Sequence, residues 1–154
     1  MDYKKLTAPC GIPCFECGAY KATTNEKYKQ YISSEFGMDY DKSSCEGCRS
    51  KNGKGFLSEK NNVFPDGKCS LLNEKGLCKI YLCTEKRQIH NCSECPNFPC
   101  NNLQPSADKA DKIPHNLKIY NLCLIKKSGL EKWAKEKAGT VVAEYKTKKF
   151  NNVP

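Results

Sequence analysis

The sequence contains no apolar run that could cross a membrane or form the centre of a secretory leader, and its opening residues, MDYKKLTAPC, are mostly polar. That lack places the chain, as an expectation, in the cytoplasm and without a membrane partner. Histidine is scarce, with His90 and His115 as the whole supply, so no histidine pair stands at metal-site spacing. A Gly-rich phosphate loop and a Ser/His/Asp set are missing too, which leaves nucleotide-phosphate binding and triad hydrolysis without support. Apolar residues, cysteine included, make up only 38%. Hydrophobic burial alone then gives a thin core, and folds of that kind are stapled by disulfides or by metal.

What the chain has instead is cysteine. Twelve occur in 154 residues, and eleven of them fall between Cys10 and Cys100. In a reducing cytosol dense cysteine reads as metal ligation or redox chemistry before it reads as a disulfide framework. The disulfide alternative rests on the even count. Metal also changes the meaning of the formal charge of +9: eleven thiolates on three divalent ions would lower it to roughly +4. The basic excess is then ordinary, and Lys-rich stretches such as Lys146 to Lys149 read as solvated surface.

Three Cys-x-x-Cys pairs stand out: Cys14 with Cys17, Cys45 with Cys48, and Cys92 with Cys95. Two intervening residues let a tight turn hold both sulfurs about 3.7 Å apart, the edge of a tetrahedron around zinc. Cys14, Cys17, Cys45 and Cys48 form the preferred first site. Cys83, Cys92, Cys95 and Cys100 suit a second, and Cys10, Cys69 and Cys78 remain for a third ion, with His90 as a candidate fourth ligand. Shared-thiolate clusters would need fewer sulfurs. Zinc, as two or three ions, is the default for closed thiolate sites. The rival is an Fe–S cluster, because Cys10, Cys14 and Cys17 have the spacing of the radical S-adenosylmethionine cluster loop, although the chain lacks the length for the barrel that surrounds that loop.

Between the cysteines the pattern is mainly helical. Thr23 and Glu26 have capping-box spacing, Tyr28, Tyr31, Ile32 and Phe36 share a face expected to be core, and Gly37 suits a left-handed stop. Residues 49–68 read as an exposed excursion or short hairpin, and CKIYLC as a helical turn or more. Pro114 fits a first helical position, with Leu117, Tyr120 and Leu124 continuing to Gly129. A second helix, boxed by Ser128 and Glu131, carries Trp133 and stops at Gly139. The tail TVVAEYKTKKFNNVP starts strand-like and ends in charge. Cys123, among apolar neighbours in the first of these helices, reads as a small core residue. His115 reads as surface or packing.

PCGIPCFECGAY, CEGCR and LCKIYLCTEKRQIHNCSECPNFPCNNL, followed by a helix and SGLEKWAKE, resemble the cysteine-rich bacterial and archaeal family catalogued as Domain of Unknown Function 3795, over roughly residues 8–138. The resemblance implies zinc binding, with no assigned activity, at Cys10, Cys14, Cys17, Cys45, Cys48, Cys78, Cys83, Cys92, Cys95 and Cys100. Family members usually place a cysteine closer to the Cys78 equivalent than Cys69 stands here.

These observations give a small metal-stabilised fold, mainly α with irregular Cys-rich zinc-knuckle or ribbon-like loops and little β. Residues 1–139 are expected to form a single domain with a helical pair at about 114–138 packed on it, and 140–154 a basic tail. The leading functional reading is a binding or adaptor module with structural metals and a protein partner. An Fe–S or zinc-thiolate redox or transfer enzyme is the alternative. Nucleic-acid binding comes third, because basic and acidic residues are interspersed and no recognition helix of the two-cysteine, two-histidine kind is present.

Overall fold

Short helices linked by tight turns make up the computed structural model, whose described residues are 1–54, 72–103 and 115–151. Strand pairing among them is confined to isolated bridges, Thr7 with Pro13 and Leu72 with Cys78. The fold is therefore mainly helical with little β, as the pattern implied. The helices are α1 (Tyr3–Leu6), α2 (Gly18–Lys21), α3 (Glu26–Phe36), α4 (Lys79–Arg87), α5 (His115–Ser128), α6 (Leu130–Glu136) and α7 (Ala138–Asn151).

The start of α3 differs from the capping-box expectation. Asn25 is the cap, its side-chain oxygen accepting the amides of Lys27 and Tyr28 at 3.0 and 3.4 Å, while the Thr23 hydroxyl donates to the carbonyl of Tyr20. Asparagine is at least as good a cap as threonine and lies nearer the helix. Gly37 ends α3 at φ 59°, as expected. Only part of the aromatic face is core. Ile32 is buried, but Tyr28 and Tyr31 are 39% and 54% exposed, because α3 packs chiefly on α2 and the 3-10 turn Tyr40–Lys42.

At the C-terminal end, Gly129 at φ +84° breaks α5 from α6. The Ser128 hydroxyl donates back to the Leu124 carbonyl instead of capping α6. Gly139 does not end that helix: α6 stops at Glu136 and Gly139 lies inside α7. The run expected to be strand-like is helical as well. Ala138 is fully buried beside Trp133 and Ala134, and this packing overrides the weak β preference of Val141 and Val142. Pro114 and the hairpin reading of residues 55–68 lie outside the described residues.

Two apolar clusters hold the helices together. Leu6, Phe15, Ile125, Trp133, Ala134 and Ala138 form the first, with Phe15 and Trp133 edge to face at 6.3 Å between ring centroids. Ile80, Cys92, Leu103 and Leu122 form the second, and Cys10, Cys78 and Cys100 pack against it. Helix α5 serves both. Its inward face carries Leu117, Lys118, Asn121, Leu122 and Ile125, which turns Cys123 outward. Cys123 is thus an exposed thiol and not the core residue expected from its neighbours.

The loop from Thr7 to Pro13, which carries Cys10, is pinned to α5. Gly11 sits at φ +86°, and a Cβ there would come within 2.8 Å of Leu122 Cγ and 2.9 Å of the Lys118 carbonyl. Its own carbonyl accepts Asn121 Nδ2 at 2.9 Å, and Asn121 Oδ1 accepts Trp133 Nε1 at 3.3 Å. Gly11→Ala combines a left-handed backbone with overpacking, so it is expected to cost roughly 2–4 kcal/mol. Denaturant unfolding of the variant measures this. A change below about 0.5 kcal/mol would show that the loop is not seated on α5.

Candidate thiolate metal centres

Two of the Cys-x-x-Cys pairs share one local construction. Cys14–Glu16 and Cys92–Glu94 are single 3-10 turns, closed by the amides of Cys17 and Cys95 donating to the carbonyls of Cys14 and Cys92 at 2.9 and 3.1 Å. Asn91 caps the second turn: its side-chain oxygen accepts the Ser93 amide at 2.9 Å and the Ser93 hydroxyl at 2.6 Å. The third pair turns through Gly47 at φ +90°. The Gly47 amide donates to Cys45 Sγ at 3.4 Å. A Cβ on Gly47 would lie 3.5 Å from Cys14 Sγ, so these two loops touch. The Cys45 amide, donating to the Ala19 carbonyl at 2.8 Å, fastens them together.

Cys83, Cys92, Cys95 and Cys100 gather elsewhere. They line one cavity of about 20 Å³ together with Ile80 and Leu103, with Cys83 supplied by α4 and the others by the loop after it. That volume suits a water-sized body. It is far below the several hundred Å³ of an organic-ligand pocket. Arg87, at the rim, hydrogen-bonds to Cys83, and this contact holds its guanidinium above the usual range.

Cys10 and Cys78 stand at the joint between the two sets. The Cys92 amide donates to the Pro9 carbonyl at 3.0 Å, and the Cys78 amide to the Gly53 carbonyl at 3.0 Å. Gly53 in turn donates to the Cys48 carbonyl at 2.7 Å. Burial pushes the Cys48 thiol up to about 12, with the charges of Cys10 and Cys78 adding to the rise. Burial likewise takes Cys92 to about 12, followed by Cys10, Cys100, Cys83 and Cys95. Cys14 is raised well above the usual thiol range, first by burial and then by Cys48, Cys17, Cys10 and Cys45. Cys69 lies outside the described residues.

Three cations near the thiols were not singled out from the sequence. Arg49, directly after Cys48, donates through Nε to the Thr7 carbonyl at 2.9 Å and through its terminal nitrogen to the His90 carbonyl. It ties the second loop to the first and third. Lys118 is only 6% exposed, and its charge pulls Cys78 down against the effect of burial. Arg87 is the third. The motif CEGCR put Arg49 in plain view, but only the fold reveals a strut. Arg49, Glu94 and Lys4 act on His90, and burial first, then Arg49, lowers its pKa. Its Nε2 is buried without a hydrogen-bond partner.

All eleven described cysteines are free thiols. Among the described residues, no group of three or more His, Cys, Asp or Glu side chains converges closely enough to hold an ion. The donor set is nonetheless of the right kind for a soft divalent ion: sulfur clustered from separate loops, an amide directed at Cys45 Sγ, and a guanidinium on Cys83. No helix among the described residues is long and apolar enough to cross a membrane.

No curated protein and no solved structure matches the chain. Residues 6–105 match the family described as "Protein of unknown function (DUF3795)", a span that takes in every cysteine except Cys123 and stops short of α5. With close to two thirds of its length matched, the chain belongs to that family.

Proposed function

We propose that the chain is a binding or adaptor module whose fold is held by thiolate-ligated metal ions, zinc by default. Cys14, Cys17, Cys45 and Cys48 would serve one region, and Cys83, Cys92, Cys95 and Cys100 the other. The observation that carries this reading is that the last four line one small cavity. A space of that size admits a water-sized body. An ion held by four thiolates cross-links loops distant in sequence and keeps no open position for chemistry.

The test is metal analysis of the full chain purified without oxygen, counting zinc, iron and acid-labile sulfide. Two to three zinc ions per chain and a colourless protein are expected. Iron with sulfide would replace zinc by an Fe–S cluster and reopen redox chemistry. A zinc site with three protein ligands and a water would support alkyl or thiol transfer instead. Absence of any bound metal would remove the reading altogether.

A further inference from the structure

Charge is not spread evenly along the chain. Residues 6–105, the span matched to the family, hold 13 Lys and Arg against 11 Asp and Glu, whereas residues 106–154 hold eleven against five. The last third therefore carries a net +6 of the formal +9. Its helices α5, α6 and α7 pack on one another, with Leu122, Ile125, Trp133 and Ala138 buried beneath them. The lysines are left outside: Lys126, Lys127, Lys132, Lys135 and Lys137 are all exposed. Lys135 is paired with Glu131 at 3.5 Å, and Lys126 lies over the Phe98 ring. Lys127, Lys132 and Lys137 have no carboxylate partner among the described residues. Tyr120, 56% exposed, stands on α5 two turns before Lys127.

We infer that the outer face of α5–α7 binds single-stranded nucleic acid, its lysines following the phosphates and Tyr120 stacking on a base. A strand offers one negative charge per nucleotide, and clustered lysines that neutralise several of them release the counterions held there. An exposed ring beside such lysines is a platform that accepts any base. An anionic membrane fits this face less well. An interfacial helix inserts an apolar side, and Tyr120 is the one large apolar side chain that α5–α7 expose among the described residues. Acids and bases are close to balanced in the cysteine-bearing span, so the excess belongs to these helices and not to the knuckles.

Fluorescence anisotropy of the full chain with labelled oligouridylate and oligothymidylate is the test, the two probes separating RNA from DNA. Affinity is expected to fall roughly 50-fold between about 50 and 200 mM salt, as about four phosphate contacts require. Lys127→Gln, Lys132→Gln and Lys137→Gln together should weaken binding more than about tenfold at the lower salt and flatten the salt dependence. Lys27→Gln, Lys51→Gln and Lys75→Gln together remove the same charge from exposed positions in the family span and should change affinity less than about threefold. Tyr120→Ala should cost about fivefold or more. Circular dichroism checks that each variant is folded. No binding at the lower salt, or equal losses in the two triple variants, would overturn the inference. Displacement of the oligonucleotide by polyglutamate would overturn it in favour of an acidic protein, and tighter capture by phosphatidylserine vesicles in favour of a membrane. The wild-type salt dependence and these competitions decide the matter even if a variant does not fold.

Discussion

If the thiolates hold metal as proposed, removing it is expected to unfold the chain. A structural zinc supplies about 10–16 kcal/mol at neutral pH, as much as the whole stability of an ordinary domain, and apolar burial in a chain with 38% hydrophobic residues cannot replace it. The single tryptophan reports the event. Trp133 is fully buried and packs edge to face on Phe15, the residue between Cys14 and Glu16. Opening the Cys14–Cys17 turn therefore frees the ring pair, and chelation should shift Trp133 emission to the red as helical circular dichroism falls. Native spectra from a chain shown to be metal-free would sink the idea. Acid should act in the same direction. Free thiols hold their protons at neutral pH, Cys48 and Cys92 up to about 12, so each must release one to bind, and a falling pH favours the proton over the ion.

On the proposed metal-binding reading, Cys95→Ser should cost one ion and leave the remainder in place. Cys95 belongs to the set around the small cavity, and its alcohol replacement is a poor ligand for a soft ion. Part of the metal-derived stability goes with that ion, enough to lower the thermal midpoint by tens of degrees in a chain of this size. Cys123→Ser is the control. That thiol is exposed on the outward face of α5, so its replacement should stay within about 0.5 kcal/mol of wild type. Metal counts and thermal melts on both variants check the pair. An equal effect at the two positions would mean that cysteine content, and not cysteine placement, governs the fold.

The turns at the Cys-x-x-Cys pairs were legible because that spacing is a local property. Two residues between sulfurs set a turn, and the 3-10 turns at Cys14–Glu16 and Cys92–Glu94 obey that rule whatever packs around them. Which pair meets which other pair is not local. It follows from hydrogen bonds such as Arg49 to Thr7 and to His90, which cross about forty residues, and no spacing rule registers these. The errors have the same origin. Cys123 looked like core because its sequence neighbours are apolar, but burial on α5 is decided by Gly11 and Leu122 on the opposite side of the helix. The tail read as strand from its valines, and Ala138 packed in the Trp133 cluster commits it to helix. Tyr28 and Tyr31 share the face of Ile32 in the pattern, but α3 has too few neighbours to cover all three.

The seat of Gly11 on α5 also sets an order of events during synthesis. The Asn121 bond to the Gly11 carbonyl joins residues 110 apart, and ribosomes deliver the chain from its N-terminus at about 5–20 residues per second. Every described cysteine except Cys123 has been synthesised before Asn121 is made. For those seconds the nascent chain offers reduced sulfur with no platform beneath it. Until α5 is made, the loop that carries Cys10 lacks the helix it packs on.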